Sequence, residues 1–293
     1  MRKFFELYSI WSAVPTELSW SHFQELIRID RKEEREFYEL TLENEKNKNG
    51  ENNMIKVKLT QNYTGFNIEG TFDDFYELYD NISYFLGIEE CEDIFEEDMR
   101  LHILGFLYDL RHAYQGSRNI KAVDNGLNDE EKEWYGIGKS VKKDILYDFD
   151  YVVPELLTDI LLFKHFAKSK TKKMSEYDTN YNSVMTFYSK VIDALKEILT
   201  ENQVKKVKKY LSESVISERT WLRQWYMMVC IDYLNMTKKK RQKEMMHIIE
   251  SICDSYLYDE YYEMKKEIEE YAKENNYNIN EIEYGEYPEE IEW

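Results

Sequence analysis

Proline, glycine and cysteine are all scarce in this chain. Three prolines and ten glycines among 293 residues leave little punctuation, which disfavours a turn-rich fold and favours long helices. The three cysteines, Cys91, Cys230 and Cys253, are isolated and odd in number. No Cys-x-x-Cys spacing occurs, so a disulfide framework and a zinc knuckle are excluded and a reducing compartment is expected. No apolar run approaches the length that spans a bilayer. The opening "MRKFFELYSIWSAVP" is broken by Glu6 and Ser9 and reads as a helix, not a signal peptide. A cytoplasmic protein without membrane partners is expected. Positive charge is also short: 39 basic against 58 acidic side chains leave a net charge of −19. Such a surface repels nucleic-acid phosphate, so no direct nucleic-acid contact is expected.

What the chain has in quantity is apolar and aromatic side chains, 43% and 15% of residues, with 25 tyrosines. That content supports a globular fold. Tyrosine joins an apolar body to a polar tip and suits interfaces as well as cores. The acid is concentrated: residues Asp254 to Trp293 carry 14 acidic and 3 basic side chains. Basic runs at Lys164–Lys173, Lys205–Lys209 and Lys238–Lys243 read first as solvated helix ends and loops.

Periodicity orders the chain. Residues 1–43 have helical spacing, with Ser19 as a cap, and "ENEKNKNGENN" from Glu43 has no apolar residue, which makes 44–53 a linker or loop. From Met54 to Gly70 apolar and polar residues alternate around "NYTG", the pattern of a β-hairpin. Thr71 then caps a helix that Gly87 stops. A second helix runs from about Glu97 to Tyr114 and ends at Gly116. "SRNIKAVDNG" reads as a strand and turn, and Lys142–Pro154 as a strand feeding a helix, because proline is tolerated in a first helical turn. Helices follow to about Asn275, and the one holding Trp221, Leu222, Trp225, Met228, Val229 and Ile231 is apolar nearly all round, as the buried centre of a bundle would be. The expected fold is α+β, mainly helical with a small antiparallel β-sheet. Its domain covers residues 54–293 and ends in a helical bundle and an acidic tail.

Catalytic signatures are thin. "YGIGKSVKK" has Glu133 where a phosphate-binding loop needs its first glycine. Gly-x-Ser-x-Gly and His-Glu-x-x-His are missing, and no arginine is read with a histidine four to six residues later, so helical-ribonuclease chemistry is not expected. His102, Asp109 and His112, at spacings of seven and three, fall on one helix face. They are the metal candidates, though ligands from elsewhere would be needed. Arg111 and Arg118 flank Gly116 and suit a carboxylate or phosphate. The plainer reading makes Asp109, Arg111, His112 and Arg118 a structural polar clasp where the helix hands over to a strand, with no metal and no cofactor.

"GTFDDFYELYDNISYFLG", "RLHILGFLYDLRHAYQGSRNIKAVDNG" and "EYPEEIEW" resemble a bacterial and phage family known as domain-of-unknown-function family 6904. The resemblance covers about Met54 to Trp293 and implies a folded module without assigning a reaction. Size, acidity and a Lys/Asn/Tyr/Glu-rich composition are similar to those of phage inhibitors of the Gabija anti-phage complex. That likeness implies a non-enzymatic, self-associating protein that binds a host nuclease–helicase complex and blocks its action on DNA. Contact is then expected through Trp11, Trp20, Tyr256, Tyr258, Tyr261 and Tyr262. The alternative is a metal- or phosphate-dependent enzyme built around His102, Asp109, Arg111 and His112; a toxin or immunity partner is a third reading.

Overall fold

The computed structural model describes residues 55–87, 89–124, 143–170, 177–213, 221–279, 282 and 284–293. The N-terminal segment with Trp11 and Trp20, the 44–53 linker and nearly all of "YGIGKSVKK" lie outside them.

The hairpin forms where the alternation places it. Strands β1 (Lys56–Leu59) and β2 (Gly65–Gly70) pair with Leu59 opposite Phe66. The turn closes on Thr60, whose amide donates to the Gly65 carbonyl at 2.8 Å and whose hydroxyl accepts from the Gly65 amide at 3.0 Å. Helix α1 (Phe72–Leu86) starts at a reciprocal cap, Thr71 hydroxyl with Asp74 amide and Asp74 carboxylate with Thr71 amide, and stops at Gly87 with φ 67°. Each arrangement satisfies end groups that a helix leaves open.

Helix α2 (Ile94–His112) is capped by Asp93 and runs into a π-type turn at Ala113–Ser117, where Gly116 takes φ 81°. Only a residue without Cβ enters that region freely, and there the chain turns into β3 (Asn119–Asp124). Strand β4 (Lys143–Val152) pairs with both β2 and β3, giving an antiparallel sheet of order β1-β2-β4-β3. Helix α3 (Val153–Lys170) follows β4 directly, with Pro154 in its first turn. Then come α4 (Thr179–Ala194), α5 (Glu201–Glu213), α6 (Leu222–Leu234), α7 (Lys238–Cys253) and α8 (Asp259–Asn275). The fold is α+β and mainly helical, with a small antiparallel sheet. Among the described residues no helix is long and apolar enough to cross a membrane.

Helices α1 and α2 cover one face of the sheet: Phe75 and Phe106 both set their rings against Phe149, at 5.8 and 6.0 Å. Helix α6 is buried as expected, yet α3 is at least as central. It packs against α1, α2, α6, α7 and β4, with Leu156, Leu157, Phe163, Phe166 and Ala167 wholly enclosed. The basic runs of α5 and α7 are mostly solvated and paired: Lys206 meets Glu250 and Lys208 meets Asp193, each at 2.8 Å. Arg241 is the exception. Only 5% exposed, it fastens the α6–α7 turn to the β1–β2 turn through the carbonyls of Tyr233, Leu234 and Asn62 and the hydroxyl of Thr64.

Candidate functional site

A cavity of about 770 Å³ opens between α2, the end of the sheet, the start of α3 and the segment 284–293. Helical spacing puts Leu101, His102, Gly105 and Asp109 of α2 along one wall. Phe149, Asp150, Tyr151 and Val152 of β4 form the second wall, and Glu155, in the first turn of α3, closes the floor. Tyr287, Ile291 and Trp293 form the roof.

That roof is fastened at three points. The Tyr287 hydroxyl donates to Glu155, the Thr64 hydroxyl donates to the Glu292 carbonyl, and the Trp293 ring lies over Gly65. A Cβ on Gly65 would stand 2.5 Å from that ring and 2.6 Å from the Tyr151 carbonyl oxygen, so the close approach requires glycine. The expected acidic tail is therefore folded back on the domain, with two aromatic side chains turned inward.

The floor holds the chemistry. His102 Nε2 lies 3.3 Å from Glu155 Oε2 and 3.7 Å from Asp159 Oδ1. Asp159 is fully buried, and no hydrogen bond of normal geometry satisfies its oxygens, although the Tyr151 hydroxyl bears on it as a donor. An ionised carboxylate in that position would be strongly disfavoured. Burial, with the neighbouring Glu155 second, pushes the Asp159 carboxyl well above its ordinary range. Burial likewise raises the Tyr151 and Tyr287 hydroxyls and the Cys230 thiol that sits beside Tyr287 and Glu155. Asp150, half-shielded and next to Asp148, is also raised, although the Asn67 amide donates to it at 2.8 Å. Asp148 goes the other way. Its burial is more than offset by Lys121, Asn67 and Asn119, which hold its carboxyl below the usual range.

The structure regroups the residues read from the sequence. Arg118 donates to Asp109 at the cavity rim. Arg111 and His112 lie elsewhere: the Arg111 guanidinium sits 5.8 Å from the Tyr108 ring centroid, and the His112 ring is 4.0 Å from it, with Nδ1 2.8 Å from the Tyr108 carbonyl. His102 and Asp109 share the cavity wall but His112 does not join them, so the expected three-residue face is corrected. A spacing of ten residues turns His112 about 80° away from His102 around the helix. Among the described residues no three His, Cys, Asp or Glu side chains are placed to hold a metal ion.

The tyrosines expected to make contacts divide. Tyr261 is 2% exposed and packs edge-on against Trp225 at 5.3 Å, so it belongs to the core; the face of α8 that carries Met264 and Ile268 carries it too. Tyr258 is half-buried against His247, its hydroxyl raised by burial to about 12. Tyr262 is exposed, and Tyr256 lies in a short 3-10 turn, Ser255–Leu257.

Arg241 and His247 have the arginine–histidine spacing that was set aside for helical ribonucleases; the sequence does contain it. Here Arg241 is committed to four acceptors and His247 faces outward, so the pair forms no joint site. Glu155 and Asp159 were missed altogether. Their signal was an aspartate inside "LLTDILLF", a run whose other side chains suit a helix buried all round.

The cavity and its folded-over roof define an α+β domain with an open, acidic pocket. The chain matches the family described as "Domain of unknown function (DUF6904)" over residues 55–293 and belongs to that family. No curated protein and no solved structure matches the chain.

Proposed function

We propose that residues 55–293 act by binding, without turnover, and that the cavity beneath Tyr287 and Trp293 is the ligand site. One observation carries this: a His102–Glu155 pair lines a cavity of about 770 Å³, and behind it lies Asp159, a fully buried carboxyl that no hydrogen bond of normal geometry satisfies. Proteins rarely leave such groups unsatisfied without a functional reason, and the volume falls within the usual span of small-molecule pockets. Gly105 supplies the test. A Cβ there meets nothing closer than the Tyr151 hydroxyl at 3.8 Å, so Gly105→Leu projects a branched side chain from the α2 wall into the cavity while improving helix propensity by about 1 kcal/mol. A metabolite mixture screened by ligand-observed NMR is expected to give binders to the wild type that the variant releases, with the variant melting no lower. Binders retained by Gly105→Leu would refute the site.

A second reading has its own observation. Phe72, Tyr76 and Tyr114 form a surface cluster with ring centroids 5.4–6.1 Å apart, and Phe72 and Tyr76 are about half exposed. Asp73, Glu77 and Asp80 of α1 frame it in exposed acid. Aromatic anchors inside an acidic rim suit a basic protein surface. This supports a cytoplasmic phage or prophage inhibitor, non-enzymatic and self-associating, that blocks a host defence complex such as Gabija. The tagged full chain is expected to co-elute with the purified Gabija complex and to lose it in Phe72→Ala/Tyr76→Ala. Separate elution, with light scattering showing a monomer, would sink this reading.

A further inference from the structure

We infer that the cavity takes a small organic amine carrying one or two positive charges, an inference that rests on the pocket reading above. Three carboxylates line it, Asp109, Asp150 and Glu155, against one arginine. Arg118 is already paired with Asp109, which leaves Asp150 with no lysine or arginine in the lining and Glu155 with only the His102 ring at 3.3 Å. Glu155 takes the Tyr287 hydroxyl on one oxygen and faces His102 on the other. Tyr287 donates a neutral hydrogen bond and brings no charge of its own. The remaining walls are rings: Phe149, Tyr151, Tyr287 and Trp293.

Carboxylates that need donors, enclosed by aromatic faces, are what an ammonium group requires. It offers N–H donors to the oxygens and positive charge to the ring quadrupoles. An anion would meet repulsion from Asp150 and Glu155 on entry. A neutral polyol would leave their charge uncompensated in a partly enclosed space. Behind this lining the Asp159 carboxyl, raised by burial, lies 3.7 Å from His102 Nε2 and adds no exposed charge to the cavity wall.

The experiment is a calorimetric titration of the full chain at about 0.15 M salt, where loose surface association is screened. Putrescine and spermidine are compared with 1,5-pentanediol, glutarate and magnesium chloride, and tryptophan emission is followed in parallel. Expected are 1:1 binding of at least one amine with a change in emission, and weakening of tenfold or more in Glu155→Gln. Loss in Gly105→Leu is also expected, although that variant keeps every surface charge. Amine binding that survives Gly105→Leu, or that Glu155→Gln leaves unchanged, would show mere attraction to an acidic surface and overturn the inference. Binding of the diol or glutarate in place of the amines, blocked by Gly105→Leu, would overturn the ligand class and leave the pocket reading standing. No binding by either amine at millimolar concentration also overturns it, and the metabolite screen then judges the pocket by itself.

Discussion

Replacing Arg241 with alanine is expected to cost the domain about 3–5 kcal/mol, among the larger losses a single substitution produces. The guanidinium is 5% exposed, and its donors reach the carbonyls of Tyr233 (3.1 Å), Leu234 (2.8 Å) and Asn62 (3.1 Å) and the hydroxyl of Thr64 (2.8 Å). Truncation leaves these acceptors facing a dry void, and each unsatisfied buried group costs about 1–3 kcal/mol before relaxation. The damage also spreads, because Arg241 links three separate pieces of chain. It ties the α6–α7 turn to the β1–β2 turn, where Tyr233 donates its hydroxyl to the Tyr63 carbonyl, and Thr64 passes the connection on to Glu292. Arg241→Lys is expected to recover little, since an ammonium cannot present the planar fork that these acceptors fit. Urea denaturation checks both variants: a midpoint lowered with unchanged slope is the expected result, with melting about 10 °C lower. A loss below about 1 kcal/mol in the alanine variant would mean that water replaces the fork.

The fold was legible because its signals are local. Thr71 and Gly87 bracket α1 through cap chemistry that needs no tertiary contact. Pro154 marks a helix start because its missing amide would have been unpaired there anyway. The hairpin was readable from alternation alone, since Phe66 and Ile68 face the core while Asn67 and Glu69 do not. The site was not legible, because its parts are brought together from distant segments. Periodicity offers His102 neighbours only on its own helix. Its actual neighbours, Glu155 and Asp159, lie more than fifty residues on, and the roof at Tyr287 lies farther still. Tyr261 shows the complementary error. Composition marks a tyrosine-rich segment as an interface, but only packing decides which tyrosines the core consumes.

Asp159→Asn is expected to stabilise the protein at neutral pH. The carboxyl is raised in the folded state, by burial first and Glu155 second, and falls back to about 3.9 when the chain unfolds. Its favourable contribution is therefore fully present below about pH 4, where both states hold the proton. It is lost as pH rises toward the folded value, because the unfolded chain releases the proton first. Over that interval the wild type forfeits about 1.4 kcal/mol per pH unit relative to a side chain that does not titrate. Asparagine has nearly the shape of the protonated acid and carries no such slope. Other carboxyls work in the opposite sense: Asp148 and Glu97 are held below their usual range and strengthen the fold as pH rises. They are common to both proteins, so the difference between variant and wild type isolates Asp159. Urea midpoints measured at pH 4, 5, 6 and 7 should nearly coincide at the lowest pH and separate progressively, with the variant the more stable. The reverse sign, a variant that weakens as pH rises, would mean that Asp159 is ionised and held by a protonated His102 at 3.7 Å. The floor of the cavity would then be a buried ion pair, and Glu155 alone would no longer set its charge. The same four midpoints thus decide which protonation state the pocket presents to whatever enters it.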